Sequence, residues 1–351
     1  MVGDYIVMKK RIVHLLSSSS FSGAEKIAIN IIEELSMHYE FIYVSPEGPI
    51  RKVLEEKNIS YIPLDKINPY SLYVLFKKIK PYAVHAHDFR ASIKLALSMY
   101  NCKKISHIHQ NPDWIGKINF NTLLYGISTM AYDNIILVSE NLNKQFIFSK
   151  LIKKKTKVLL NSVDVEKVKK LSKEYEYPEV YDVAFLGRLA EVKNPIHFIE
   201  IINGIKSHKP DIKAVMIGEG ELLNVCNQKI SELNIEENIK LVGFNKNPFP
   251  IVNNCKIIII PSKWEGFGLV SVEAMSLGKP VLASPVGGLN EIVDDKCGKI
   301  CSSQDEFINE AIDLLQKRNK YRIKSDNAIK RSERFNNVKE WVEALYLIYN
   351  S

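Results

Sequence analysis

The feature that most constrains this chain is an alternation of period that runs through it twice. Short runs rich in β-branched and aromatic residues, at 11–16, 41–44, 61–63, 83–86, 104–109 and 134–138, are separated by longer segments of helical period such as 24–35 and 91–100. Strand and helix repeated in this way predict a parallel sheet covered on both faces. The pattern restarts at 183–186 and continues through 213–217, 239–242, 256–260 and 280–283, which predicts a second sheet of the same kind. A length of 351 residues agrees, since it is too long for one ordinary core. The charged stretch 153–181, which contains Pro178, reads as the linker, and the domains are set at 1–165 and 166–351. From about residue 306 the chain is helical in period. Trp341, Leu345 and Ile348 share one face of the last helix, a face expected to pack on a domain, and that helix is a candidate to cross back onto the first. Open α/β sheets bind ligands beyond the carboxyl ends of their strands, so a cleft between two such sheets is where a site is expected.

Composition removes several function classes. With 46% hydrophobic and 25% charged residues the chain reads as an ordinary soluble globular protein. Its longest aliphatic run, 257–260, falls far short of the roughly 20 apolar residues that cross a bilayer. Asp4 and the Lys9-Lys10-Arg11 cluster interrupt any signal-peptide pattern, and a cytoplasmic location is expected. Five scattered cysteines, with no Cys-x-x-Cys pair, read as buried free thiols. The net charge of +8 lies wholly in residues 1–165, which hold 22 basic and 14 acidic residues against 26 of each in the remainder. That asymmetry points to an anionic partner for the first domain, such as a membrane surface or a phosphate-bearing acceptor. No interleaved basic and aromatic motif supports nucleic acid, and no Gly-x-x-x-x-Gly-Lys-Ser/Thr run supports a P-loop ATPase.

The densest chemical signal runs from Pro261 to Ala274 and is followed by Gly278-Lys279-Pro280. It reads as the end of a buried strand, a loop in which Gly266 and Gly268 let the backbone approach a ligand, and a helix that Gly278 and Pro280 end. Amides at that helix start favour a phosphate or sugar oxygen. Glu265 precedes the helix and Glu273 lies on it, which separates them by roughly 10 Å at the helical rise and suits the two ends of a sugar diphosphate. Glu265 would then contact a transferred sugar and Glu273 a ribose. Arg188 and Lys193, five residues apart in the loop after the second domain's first strand, could both reach a diphosphate.

This stretch closely resembles the Glu-x7-Glu signature of the family-four retaining glycosyltransferases, and the likeness extends, more faintly, over nearly the whole chain. The resemblance implies a GT-B fold, two Rossmann-like α/β domains facing across a cleft with C-terminal helices. It also implies a nucleotide-sugar donor, UDP- or GDP-linked, and transfer with retention. The acceptor it implies is a glycan or lipid-linked glycan, in cell-surface polysaccharide or glycolipid synthesis, with the enzyme peripheral at the inner face of the membrane. It gives Arg188 and Lys193 the departing diphosphate, and it places Gly187, Gly218, Gly243 and Phe244 in nucleotide-facing loops. Gly266, Phe267, Gly268 and Leu269 join Glu265 and Glu273 at the donor. Gly23 is the surviving glycine of the first-domain loop, where Ser22 stands in for a second, and His109 faces the donor sugar.

Two His-x-His pairs, His85/His87 and His107/His109, would point one way only along regular strands, and no cysteine completes a zinc set, so neither metal nor cofactor is expected. Asp88 reads as a helix cap. A sugar-nucleotide epimerase or hydrolase of the same shape, and a non-catalytic sugar- or nucleic-acid-binding protein, are the alternatives.

Overall fold

The computed structural model describes residues 9–110 and 112–351, the side chain of Asp113 excepted. They divide into two compact units, one of residues up to Leu159 with Lys339–Ser351, the other Leu160–Val338.

The first unit is built on seven parallel strands, β1 (Lys10–Leu15), β2 (Tyr39–Ser45), β3 (Tyr61–Pro63), β4 (Ala83–Ala86), β5 (Lys103–Ile108), β6 (Asn134–Leu137) and β7 (Thr156–Val158), in the order β3-β2-β1-β4-β5-β6-β7. The strand order reverses between β1 and β4, where His14 pairs in register with His85. Two of the helices between the strands begin on side-chain caps of this kind: Asp88 accepts from the Ala91 amide at 2.7 Å, and Asn119 from that of Thr122 at 3.0 Å. Val13, Leu15, Val84, Ala86 and Ile108 are buried among Leu72, Phe76 and Leu95 of those helices.

The second unit holds β8 (Tyr181–Leu186), β9 (Ala214–Ile217), β10 (Ile239–Leu241), β11 (Cys255–Ile260), β12 (Val281–Ala283) and β13 (Gly298–Ile300), all parallel, in the order β10-β9-β8-β11-β12-β13. Here the order reverses between β8 and β11. Ile257, Ile258 and Ile259 are fully buried, as a strand covered on both faces requires, and each such side chain contributes about 1.5–3 kcal/mol. Helices Pro195–Lys206 and Gln304–Gln316 close on one face so tightly that a Cβ on Gly204 would lie 2.2 Å from Ile308 Cδ1.

The stretch read as a linker is largely ordered. Thr156–Val158 forms the edge strand β7, Val165–Leu171 is a helix capped by Asp164, and the units part at 159/160 instead of 165/166. Lysines at 153, 154, 155 and 157 give the segment the look of a linker, yet lysine is what a short edge strand tolerates. The last helix, Val338–Asn350, buries Trp341, Leu345, Ile348 and Tyr349, and residues 339–351 group with the first unit. All five cysteines are free, and four are buried. Among the described residues no helix is long and apolar enough to cross a membrane.

Candidate active site

In the second unit the reversal of strand order puts the loops after β8 and β11 side by side, and both carry candidate residues. Lys193, in the turn Glu191–Lys193 after β8, donates to Glu265 Oε2 at 2.5 Å, and Ser262 Oγ donates to the same oxygen at 3.3 Å. The loops are joined again by the Lys263 amide, which donates to the Val192 carbonyl at 2.9 Å, and by the ion pair of Lys263 with Glu191. Arg188 is half-buried, and its side chain makes no hydrogen bond or ion pair with the described residues. A cation with no acid committed to it, one strand from a carboxylate that already holds Lys193, leaves Arg188 free for an external anion.

Glu265 is held from behind as well. The loop after β12 runs so close that a Cβ on Gly287 would lie 1.6 Å from the Glu265 carbonyl oxygen, and the Gly288 amide donates to the Gly266 carbonyl at 2.9 Å. Gly287 and Gly288 are thus the packing surface for the Glu265 loop. Gly268 begins the helix Leu269–Ser276, and Glu273 sits on that helix with 5% of its surface exposed. Phe267 departs from expectation: its side chain is buried and packs edge-on against Phe335 with ring centres 5.6 Å apart, so only its backbone can face a ligand.

The glycines after β8, β9 and β10 form a second close-packed group. Gly187 donates to the Ile217 carbonyl and Gly218 to that of Gly243, at 3.0 and 2.8 Å. A Cβ on Gly218 would lie 2.0 Å from the Gly187 carbonyl oxygen, so these loops approach one another more closely than any side chain allows. Phe244 follows with half its surface exposed, its amide donating to Glu219 Oε1 at 3.3 Å.

In the first unit, Gly23 opens the helix Gly23–Leu35, exposed, beside Ser22, whose hydroxyl donates to the buried Glu25. Asp88 caps its helix and also accepts from the Ser17 amide at 2.8 Å. The histidines come together more closely than their sequence suggested, and with a fifth, His14. Because β1, β4 and β5 are neighbours in register, His14, His85, His87, His107 and His109 all project from one face. They form a continuous hydrogen-bonded chain. His109 Nε2 meets His87 Nδ1 at 3.0 Å, His87 Nε2 meets His14 Nδ1 at 2.7 Å, and His14 Nε2 meets the Tyr349 hydroxyl at 3.3 Å. That hydroxyl meets His85 Nδ1 at 2.7 Å, and His85 Nε2 meets His107 Nδ1 at 3.2 Å.

Among the described residues, two nitrogens of these histidines have no partner, His107 Nε2 and His109 Nδ1, at the two ends of the chain. A neutral imidazole has one N–H and one bare nitrogen, so in either direction one end offers a proton and the other a lone pair. Burial holds all five neutral, pulling His14 and His109 down to about 3 and the others well below the ordinary value. Two triplets, His14/His85/His87 and His87/His107/His109, bring their nitrogens within 4.8 Å, close enough to ligate, but mutual hydrogen bonding already accounts for all but the two end nitrogens. His14 and Tyr349 escaped the sequence reading because nothing local announces strand order or a contact 335 residues long.

Known proteins resemble the chain in sequence and in fold. The family of group 1 glycosyl transferases matches residues 164–332. An uncharacterized glycosyltransferase of Methanocaldococcus jannaschii, MJ1059, is 29% identical over 237 residues, 61% of this chain and 58% of that protein, so the chain spans little more than half of that relative's length. The UDP-Gal:alpha-D-GlcNAc-diphosphoundecaprenol alpha-1,3-galactosyltransferase of Escherichia coli is 25% identical over 336 residues, 86% of this chain and 87% of that one. The crystal structure of Alr3699/HepE from Anabaena, in complex with UDP and glucose, superposes with a TM-score of 0.82 at 20% identity, covering 97% of this chain and 99% of that one. Residues 164–332 are thus similar to the group 1 glycosyl transferases, and the two parallel sheets are those of the GT-B fold.

Proposed function

We propose that the protein moves a sugar, with retention, from a UDP- or GDP-sugar to a hydroxyl of a lipid-linked glycan, in cell-surface polysaccharide or glycolipid synthesis. The observation that carries the reading is the pairing of Lys193 with Glu265 beside an uncommitted Arg188, at the strand-order reversal of the second sheet. Arg188 and Lys193 stabilise the departing diphosphate, so catalysis is mainly electrostatic and needs no metal or other cofactor. Glu265 positions the transferred sugar, and Glu273, buried on the helix behind it, holds the ribose. His109 is assigned to the sugar through its bare or protonated Nδ1, and Gly23 to the donor phosphates. The acceptor hydroxyl attacks from the face the diphosphate leaves, which assists in removing its proton.

Two similar proteins support these acceptor and donor classes. The Escherichia coli protein acts on a diphosphoundecaprenol-linked sugar, and HepE holds UDP and glucose. For such an acceptor the enzyme would work at the cytoplasmic face of the cell membrane, a reading that the basic excess of residues 1–165 supports. The test is a panel of UDP- and GDP-sugars, with and without undecaprenyl-diphosphate glycans, followed by determination of the product's anomeric configuration. Inversion would overturn the retaining mechanism, and donor hydrolysis with no transfer to any such acceptor would favour the hydrolase alternative.

A further inference from the structure

The first unit exposes an apolar stripe that its core does not use. Helix Phe120–Ser128 buries Thr122, Tyr125 and Ser128, while Phe120, Leu123 and Ile127, with Met130 in the turn that follows, are 76, 44, 68 and 80% exposed. Their spacing of three, four and three residues sets them in one row along the outer side of the helix. Single exposed hydrophobic residues are ordinary, but a row of four is not.

The segment 144–157 lies beside this row. A Cβ on Gly126 would meet the Phe148 ring at 2.7 Å, Lys155 Nζ donates to the Met130 carbonyl at 3.2 Å, and the Ile147 amide donates to the Ile115 carbonyl at 3.4 Å. Leu151 extends the apolar surface at 81% exposure, and Ile118 does so at 73%. On the same segments Lys117 precedes Ile118, Lys150, Lys153 and Lys154 flank Leu151, and Lys144 and Lys157 stand at the two ends of 144–157; all six are exposed, none is in an ion pair with the described residues, and only Asp133 and Glu140 oppose them between residues 117 and 157.

We propose that this face docks on an anionic lipid bilayer, with Phe120, Ile127, Met130 and Leu151 entering below the headgroups and the lysines meeting lipid phosphates. Charge selects this occupant. Lysine is depleted where proteins pack on proteins, whereas exposed apolar tips flanked in sequence by lysines without ion pairs match an interface that is oily inside and negative at its rim. The inference deepens the membrane-bound reading above and rests on it for its purpose, since docking here brings the enzyme to a lipid-linked acceptor.

The test uses the full chain and sedimentation with vesicles of phosphatidylcholine alone or mixed with phosphatidylglycerol. Wild type is expected to prefer the anionic vesicles and to leave them as salt rises. Ile127→Glu combined with Leu151→Glu should weaken binding more than tenfold, and Lys153→Gln or Lys154→Gln about fivefold each, equivalent to the ~1 kcal/mol of a basic residue at such a surface. All these side chains are exposed, so melting temperature and UDP affinity should stay at wild-type values. Anionic binding that survives the double substitution would overturn the choice of face while leaving membrane association standing. Absence of any lipid preference in wild type would overturn both, and dimerisation abolished by the double substitution, without vesicle binding, would give the face to a second copy of the chain.

Discussion

Lys193 leans from the turn after β8 to place its Nζ 2.5 Å from Glu265 Oε2, in the loop after β11. The group assigned to the diphosphate and the group assigned to the sugar therefore hold each other before any donor arrives. Glu265→Gln should release Lys193 and remove a negative charge near the diphosphate, so affinity for free UDP or GDP should rise a few-fold, a modest gain because the pair is partly exposed. Turnover should fall by about 100-fold, as expected for a group that acts on the transferred sugar. Calorimetric titration beside steady-state turnover decides the matter, and undiminished turnover would remove Glu265 from the mechanism.

Glu273 should behave in the opposite way. It is buried on the helix Leu269–Ser276, and Glu273→Gln should weaken the nucleoside diphosphate by about 1–3 kcal/mol through loss of a charged hydrogen bond to ribose. Each variant must first melt as a folded protein. Equal loss of nucleotide affinity in the Glu265 and Glu273 variants would refute the division of labour.

How much of this was legible in the sequence differs from element to element. Runs such as Lys256–Ile-Ile-Ile-Ile260 announce a doubly covered strand by composition alone, and the glycine loop of 265–268 announces a turn beside a helix start. The edge strands β7 and β13 did not stand out, being three residues each, one beset by lysines and the other begun by Gly298. Strand order is a tertiary fact, so the meeting of His14 with His85 and the arrival of Tyr349 between them had no local signal. The Lys193–Glu265 pair was half legible: both residues were singled out, but their mutual contact depends on β8 and β11 being neighbours.

The histidine chain makes stability depend on acidity. Each of these histidines binds a proton near pH 6.5 when unfolded, but His14 and His109 do so only near 3 when folded. The unfolded state therefore holds more protons between those values, and stability is full above about 6.5 and is lost as pH falls toward 3. Each such histidine adds a slope of about 1.4 kcal/mol per pH unit in that window. Urea unfolding from pH 7 to 4 should show it, and Tyr349→Phe, which leaves His85 Nδ1 and His14 Nε2 without their shared hydroxyl, should cost about 1–3 kcal/mol at neutral pH. A flat profile across that range would mean that the imidazoles are hydrated.

Metal independence is the next expectation. Arg188 and Lys193 provide the positive charge that a divalent cation would otherwise bring to the diphosphate, so a chelator should leave turnover within about twofold of its starting value. Loss of activity restored by magnesium or manganese would show that the diphosphate is neutralised in another way.

The last prediction concerns a residue that touches no proposed substrate. Gly287 has a φ of 52°, and its missing Cβ would lie 1.6 Å from the Glu265 carbonyl oxygen and 2.7 Å from its carbon. Alanine there meets two obstacles, a left-handed backbone costing about 1–2 kcal/mol and a contact that only movement of the Glu265 backbone can relieve. That movement would carry the carboxylate away from Lys193, so Gly287→Ala should lower turnover by about 10²-fold or more, the scale at which a 1 Å misplacement acts, and should also lower the melting temperature. Lys263→Ala is the control, since Lys263 shares the loop of Glu265 and its side chain makes only the exposed pair with Glu191 of the neighbouring loop. It should alter stability by less than about 0.5 kcal/mol and leave turnover within a few-fold of wild type. A Gly287→Ala protein that melts lower but turns over normally would show that the Glu265 loop tolerates displacement, and that the tight backing of this loop serves the fold alone.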